Sequence, residues 1–335
     1  MISNKSLKRE GTEILPRNFA LIGAAGFVAP RHIQAIHETG NRLIAAADPH
    51  DSVGVLDRYF SDVRYFPEIE RFDRHLEKLR RAGEEKRAHY ISICSPNYLH
   101  DAHVRLALRL GAHAICEKPL VIEPWNLDYL ARLEEESATR VYTVLQLRVH
   151  ERLRALKAQL DAAPNDRRRK VQLTYITSRG PWYDVSWKGV EERSGGVAMN
   201  IGVHFFDLLI WLFGAPDKVE VHLREKRRTA GFLELKHADV TWFLSVDAAD
   251  LSAAVAGNAV DRTMVRAMDI DGEVWDFTDG FQNLHSRVYQ SVLAGDGFGI
   301  EDARPSIALV HSLREAAPSR SFSTVHPLVE RNSNK

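Results

Sequence analysis

The chain has 335 residues, enough for two domains of ordinary size. Lys+Arg and Asp+Glu are equal at 45 each, so the net charge is zero and the basic excess of a nucleic-acid-binding surface is absent. Two cysteines, Cys94 and Cys116, stand in apolar runs without metal-ligand spacing, so no metal is expected and both read as reduced core thiols of a cytoplasmic protein.

No apolar run approaches the roughly 18 residues of a membrane span, so no membrane partner is expected. Residues 1–17 are polar, lack the apolar core of a signal peptide, and read as a flexible extension. From residue 18 the elements come in order. Asn18-Phe19-Ala20-Leu21-Ile22 is a short buried strand. Gly23-Ala24-Ala25-Gly26-Phe27-Val28 follows, then a helix over 30–39. Leu43-Ile44-Ala45-Ala46-Ala47 is a second strand, ending in Asp48. Small residues at the first turn let a backbone approach a pyrophosphate, and the helix N-terminus offers it free N–H groups. An acid after the second strand accepts from ribose hydroxyls and repels a 2′-phosphate. The pattern therefore predicts a dinucleotide site that takes NAD rather than NADP, although the second glycine comes one residue later than in G-x-G-x-x-G. Asp48, a strand-end carboxylate, is expected to lie outside the core and to be dispensable for folding.

Over 52–87, Phe66, Ile69, Phe72, Leu76 and Leu79 repeat at helical spacing and should face the core. Further strands are expected over 88–94, ending at Ser95-Pro96-Asn97, over 112–116, ending at Glu117-Lys118-Pro119, and over 140–145, ending at Gln146. Helices over 99–110 and 125–136 separate them. Gly23, Asp48, Ser95, Glu117 and Gln146 thus fall at the C-terminal ends of parallel strands, the edge where open α/β sheets bind ligands.

The pattern changes at Lys170. Residues 171–177 alternate with period two, as a half-buried strand does. Strand candidates recur over 217–224, 232–236, 239–247, 263–270 and 273–277, with a helix over 203–213 and a closing helix over 305–316. The second domain is therefore expected to be α+β on a mostly antiparallel open sheet. Between the 171–177 strand and the 203–213 helix lie Arg179, Tyr183, Trp187 and Lys188, a cationic and aromatic group suited to an anion. Then comes Gly195-Gly196, leading to Asn200-Ile201-Gly202-Val203-His204. One lysine at a strand end and one histidine behind glycines supply what alcohol oxidation needs, a cation to polarise oxygen and a base near neutrality. Expected boundaries are 18–147 for the nucleotide domain, 148–318 for the second domain, whose closing helix can return to the first, and 319–335 for a tail.

Glu117-Lys118-Pro119 together with Asn200-Ile201-Gly202-Val203-His204 resembles the Gfo/Idh/MocA oxidoreductases, over about residues 18–318. Within that family the chain is more similar to one branch, the bacterial UDP-N-acetyl-glucosaminuronate 3-dehydrogenases of lipopolysaccharide sugar assembly. The resembling stretches are residues 23–32, 70–76, 95–100, 177–180 and 194–196, and Phe281 followed by Leu284-His285. The late second glycine is ordinary for that branch. Asn200 replaces an aspartate common in the wider family, which leaves proton transfer to His204 and Lys118.

The resemblance implies a Rossmann domain and NAD-dependent oxidation of the 3-hydroxyl of a UDP-linked N-acetylhexosaminuronic acid. His204 and Lys118 would be catalytic. Gly23, Ala24, Gly26, Phe27, Val28, Asp48, Ser95, Asn97, His100, Glu117, Lys118 and Gln146 would hold NAD. Lys118, Arg179, Tyr183, Trp187, Lys188, Asn200 and His204 would meet the substrate, and the protein would be a homodimer or homotetramer. Two other readings stay open: another sugar or cyclitol dehydrogenase of the family, and a non-catalytic nucleotide-binding sensor.

Overall fold

Apolar runs too short for helices and bounded by glycine or polar residues become strands covered on both faces. The computed structural model describes residues 16–163, 167–255, 264–276, 283–319 and 324–329. Phe281, most of the extension 1–17 and parts of the tail 319–335 lie outside these. In chain order, β1 (Asn18–Ile22) is followed by α1 (Ala29–Glu38), β2 (Arg42–Ala47), β3 (Arg64–Phe66), α2 (Ile69–Arg81) and β4 (Tyr90–Ile93). Then come α3 (His100–Arg109), β5 (His113–Cys116), α4 (Trp125–Glu136) and β6 (Val141–Thr143). These six strands form a parallel sheet in the order β3-β2-β1-β4-β5-β6. The order reverses between β1 and β4, and the loops leaving those two strands part to open a crevice.

Phe66 closes β3 rather than opening a helix, and only Phe72 and Leu76 of the expected stripe are fully buried. The 30–39 and 99–110 helices begin and end within a residue or so of expectation. The helix at 125–136 is found with those bounds.

The second half contains α5 (Glu151–Ala162), β7 (Arg169–Thr177), α6 (Trp182–Val185), α7 (Glu191–Ser194) and α8 (Val203–Phe213). A π-type turn, Ala198–Gly202, precedes α8. Then follow β8 (Pro216–Arg224), β9 (Arg228–Leu235), β10 (Ala238–Ser245), α9 (Ala248–Val255), β11 (Met264–Ile270), β12 (Glu273–Asp276), α10 (Leu284–Ala294) and α11 (Ile300–Glu315). Their sheet runs β12-β11-β7-β10-β9-β8. It is mixed: β7 and β10 pair in parallel and the other neighbours antiparallel. The architecture is thus a parallel nucleotide-binding sheet followed by an α/β domain.

One face of the second sheet, with Leu173, Trp242 and Leu244, packs on Phe206 and Leu209 of α8. On the other face, Leu328 and Val329 of the expected tail are buried against Ile176 and Phe243. The closing helix starts a turn earlier than Pro305 suggests, because Asp302 Oδ2 accepts from the Gly299 N–H at 2.8 Å and caps it. Helix α10, unforeseen from sequence, packs on α1 of the first sheet through Leu284, Val288 and Val292. One helical stretch, Glu191–Phe213, does meet the length and hydropathy of a membrane span, contrary to expectation. Since 67% of its apolar window is buried inside the protein, its length and apolarity fit a core helix.

Candidate active site

The crevice has a volume of about 1380 Å³ and runs from Asp48 and Glu68 at one end to Arg179, Lys188 and Arg266 at the other. Gly23 explains why its floor is open. With φ at +90° it takes a conformation that disfavours a side chain, and a Cβ there would lie 2.6 Å from the Cys94 main-chain carbon. The loop after β1 therefore lies against the end of β4, and Gly26 is nearly as tight, 3.0 Å from the Gly23 oxygen. This backbone cradle, with the start of α1 beyond it, fits a dinucleotide pyrophosphate.

Asp48 Oδ2 accepts from the Ala25 N–H at 3.0 Å and Oδ1 from the His50 N–H at 2.9 Å. It ties the glycine loop to the end of β2 and keeps lone pairs for ribose hydroxyls. Asp48 is 8% exposed, which corrects the expectation that this strand-end carboxylate lies outside the core. Ala24 is also corrected: it is buried in the core, its N–H bonded to Ala47, and Ala25 faces the crevice in its place.

The remaining expected cofactor positions, Phe27, Val28, Ser95, Asn97, His100, Glu117 and Gln146, all line the same crevice. Several of their polar atoms are already engaged. Asn97 Nδ2 donates to the Ser194 carbonyl at 2.9 Å, tying the loop after β4 to α7. Ser95 Oγ meets His103 Nδ1 at 2.8 Å. Both ring nitrogens of His100 contact main-chain carbonyls, Pro119 at 2.6 Å and Ser95 at 2.8 Å, so its ring braces the turn after β5 and has no free nitrogen for a cofactor. The Glu117 carboxylate is likewise taken up inside the protein, by His32 and His285. Histidine and carboxylate cluster there, but these direct hydrogen bonds satisfy them without an ion.

Lys118, in a cis peptide bond with Pro119, reaches across to the second half: its Nζ donates to the Asn200 main-chain carbonyl at 2.8 Å. Burial lowers its pKa to about 8, with Glu117 opposing and Lys188 adding to the effect. Asn200 lies in the π-type turn, and His204 is the second residue of α8, which follows it. Gly202 between them is glycine for a packing reason, since a Cβ there would come 2.6 Å from Leu244 of β10 and 2.8 Å from the Phe206 ring. Helix α8 can thus sit close on the sheet and present His204 to the crevice. Burial, then the neighbouring Lys118 charge, holds His204 well below the usual histidine range. At neutral pH it is an unprotonated base beside a mostly cationic lysine. That pair can accept a proton from an alcohol and polarise its oxygen.

Arg179, Tyr183, Trp187, Lys188 and Asn200 come together on the far wall. Lys188 Nζ lies 5.6 Å from the ring centres of both Trp182 and Trp187, which orients an ammonium without neutralising it. Sequence reasoning missed Arg31, Arg193, Arg266 and Tyr98 on the walls, and His32, His285 and Tyr289 behind Glu117. For His285 and Tyr289 a signal existed: Leu284, Val288 and Val292 at four-residue spacing mark a helix.

Two family models match the chain. Residues 17–145 match "Oxidoreductase family, NAD-binding Rossmann fold" and residues 169–250 match "Oxidoreductase family, C-terminal alpha/beta domain". Among curated relatives, D-glucoside 3-dehydrogenase of Escherichia coli is 30% identical over 38% of this chain and 36% of its own length. Inositol 2-dehydrogenase of Rhizobium meliloti is 25% identical over 58% of this chain and 54% of its own. The chain thus matches roughly a third to a half of the length of these relatives. Among solved structures, the WlbA (WbpB) dehydrogenase from Thermus thermophilus in complex with NAD and UDP-GlcNAcA superposes with a TM-score of 0.88 at 46% identity, covering 93% of this chain and 99% of that one. The same enzyme in complex with NAD and alpha-ketoglutarate gives the same figures. The WlbA dehydrogenase from Bordetella pertussis, at 19% identity and a TM-score of 0.70, shares the fold over 89% of this chain and 94% of that one.

Proposed function

The chain belongs to the Gfo/Idh/MocA oxidoreductase family, and from that premise we propose that it oxidises the 3-hydroxyl of UDP-GlcNAcA, a UDP-linked N-acetylhexosaminuronic acid, to the 3-keto sugar. The observation that carries this reading is the near full-length likeness to the Thermus thermophilus dehydrogenase solved with NAD and UDP-GlcNAcA. The cradle at Gly23 and Gly26, the Asp48 carboxylate and the strand-end residues of the first sheet suit NAD. When bound, NAD supplies a hydride acceptor for carbon 3.

The protein's own groups manage the proton and the charge. Neutral His204 takes the 3-hydroxyl proton, and the Lys118 ammonium orients that oxygen and stabilises its developing negative charge. Asn200 carries no charge, so its part is to place Lys118 through its carbonyl. Arg179 and Lys188 pair with the hexuronate carboxylate or the pyrophosphate. The 3-keto product suits a later amino transfer, as in the making of lipopolysaccharide sugars. Two free, buried cysteines suit a cytoplasmic protein, and the second-domain sheet together with the family resemblance favours a homo-oligomer.

A second occupant has its own support. The Thermus thermophilus enzyme was solved with NAD and alpha-ketoglutarate, and the cationic end of this crevice would accept a 2-oxo dicarboxylate as readily as a hexuronate. Such an acid could serve as the final oxidant for bound cofactor. The test is a panel of UDP-hexuronates and UDP-hexoses with NAD, each with and without 2-oxoglutarate. The expected result is loss of a hydrogen pair from UDP-GlcNAcA by mass. Preferential oxidation of a neutral sugar or cyclitol would overturn the substrate assignment, and no turnover with any sugar would favour a sensor.

A further inference from the structure

Glu117 carries its carboxylate into an enclosed group of side chains for which the reaction just outlined has no use. Glu117 is 6% exposed, and His32, His285, Tyr289 and Ser92 are each 3% exposed or less. His32 Nε2 lies 3.0 Å and His285 Nε2 2.9 Å from the same Glu117 oxygen, and the other oxygen accepts from the Lys118 main-chain N–H at 3.2 Å. His32 Nδ1 meets the Tyr289 hydroxyl at 2.8 Å, which meets Ser92 Oγ at 2.5 Å. The two imidazoles contact each other edge-on, with centres 4.8 Å apart.

A consistent arrangement of the protons follows from the carboxylate. An ionised carboxylate only accepts, so both Nε2 atoms donate to it. His32 then offers Nδ1 as an acceptor to the Tyr289 O–H, and Tyr289 accepts from Ser92. His32 can then stay neutral, with the negative charge of the cluster on Glu117. Burial lowers the His32 pKa, in keeping with a neutral ring. On Glu117 burial is the largest influence and acts upward, but the hydrogen bonds from His285 and then His32 oppose it, and the carboxyl lies well below its usual range.

The donors come from three separate parts of the chain: the cofactor helix α1, the turn after β5, and α10 near the C-terminus. We propose that His32 and His285 are positioning residues that fix Glu117 as an anion beside Lys118, and thereby keep Lys118 charged and in place for the reacting oxygen. Lys118 faces Glu117 on its own turn, Lys188 from the segment after α6, His204 on α8 and His100 on α3. Glu117 in turn faces the buried thiols of Cys94 and Cys116 and the hydroxyl of Tyr289. Of the groups that shift Lys118, Glu117 alone favours its charged form. Without two donors, a carboxylate this buried would tend to protonate, and the lysine would lose its counter-charge.

The proposal rests on the role given to Lys118 above, so its test reads the lysine directly and without substrate. The rate at which Lys118 is acetylated by an amine-reactive reagent, followed by peptide mass across pH, reports its ionisation in the NAD complex. His32→Leu and His285→Leu should each move that midpoint to lower pH by about half a unit or more. His285→Gln, which restores a donor near the Nε2 position, should return most of the shift. Turnover should fall about tenfold in the leucine variants with the KM for NAD within about twofold. An unmoved midpoint in folded leucine variants overturns the proposal, as does a glutamine variant shifted as far as leucine. Should the leucine variants fail to fold, Glu117→Gln removes the charge at nearly constant shape, and an unmoved midpoint there overturns it equally. Failure of the sugar assay would leave this titration readable, so the two readings fail separately.

Discussion

The Lys118 ammonium and the Asn200 main-chain carbonyl meet at 2.8 Å, joining the turn after β5 to the π-type turn before α8. The contact fixes the lysine relative to His204 without using any side-chain atom of residue 200. The backbone of residue 200, and not its side-chain amide, does the holding.

From this pairing, Lys118→Ala and His204→Ala should each slow hydride transfer by about 10² or more, with little loss of NAD affinity in His204→Ala. The pH dependence follows from the two ionisations. His204, held well below 6.5, is already neutral at pH 7, and Lys118 loses its charge as pH rises through about 8. Single-turnover rates should therefore be level near neutrality and fall above about pH 8. A rate that climbs through that region would make Lys118 the base instead of the electrostatic partner.

Asp48 secures the glycine loop and, in the function proposed, also sets cofactor choice. Asp48→Ala should weaken NAD and narrow the preference over NADP, because the charge opposing a 2′-phosphate is gone. It also strips the part-buried Ala25 and His50 N–H groups of their acceptor, each such bond contributing about 0.5–1.5 kcal/mol. A lowered melting temperature should accompany the change in specificity. Comparable turnover of the unaltered enzyme with NADP would reject the assignment.

Substrate charge is tested at the opposite end of the crevice. UDP-hexuronate should be oxidised about ten- to a hundredfold better than the matching UDP-hexose, since a charge-assisted contact in a partly buried site contributes about 1.5–3 kcal/mol. Arg179→Ala should shrink that ratio in kcat/KM. Equal use of both sugars by the unaltered enzyme would favour a neutral-sugar dehydrogenase.

Arg148, in the turn after β6, ties α8 to α11. It pairs with Asp207 of α8 through two nitrogens, at 2.7 and 3.0 Å, and with Asp302 of α11 at 3.0 Å. Asp207 is 3% exposed, so Arg148→Met strands a buried carboxylate and should destabilise the protein by about 3–5 kcal/mol. Denaturant unfolding measures this. Arg148→Met with Asp207→Leu should recover a large part of the loss, whereas equal instability in the double variant would show the ion pair is not the cause.

Much of this was legible in the sequence because it is local. Strand, small-residue turn, helix, strand and acid follow one another within 18–48, and their spacing alone specifies a nucleotide fold. Gly23, Asp48, Ser95, Glu117 and Gln146 could be placed on one edge because parallel strands must share it. The approximate strands of the second half came from period-two alternation, but alternation says nothing of direction, so the parallel pairing of β7 with β10 emerged only from the fold. The unseen residues are those brought in by distant chain. His285 and Tyr289 lie more than 160 residues from Glu117, and only the packing of α10 on α1 carries them to it. Likewise no local signal separates Ala24 from Ala25; which of two adjacent alanines faces a ligand is fixed by the φ of Gly23 and the press of the turn against Cys94. Residue type and spacing determined which chemistry the chain can perform. Tertiary structure decided which charges stand unshielded, because burial and hydrogen bonding depend on neighbours that sequence order does not supply.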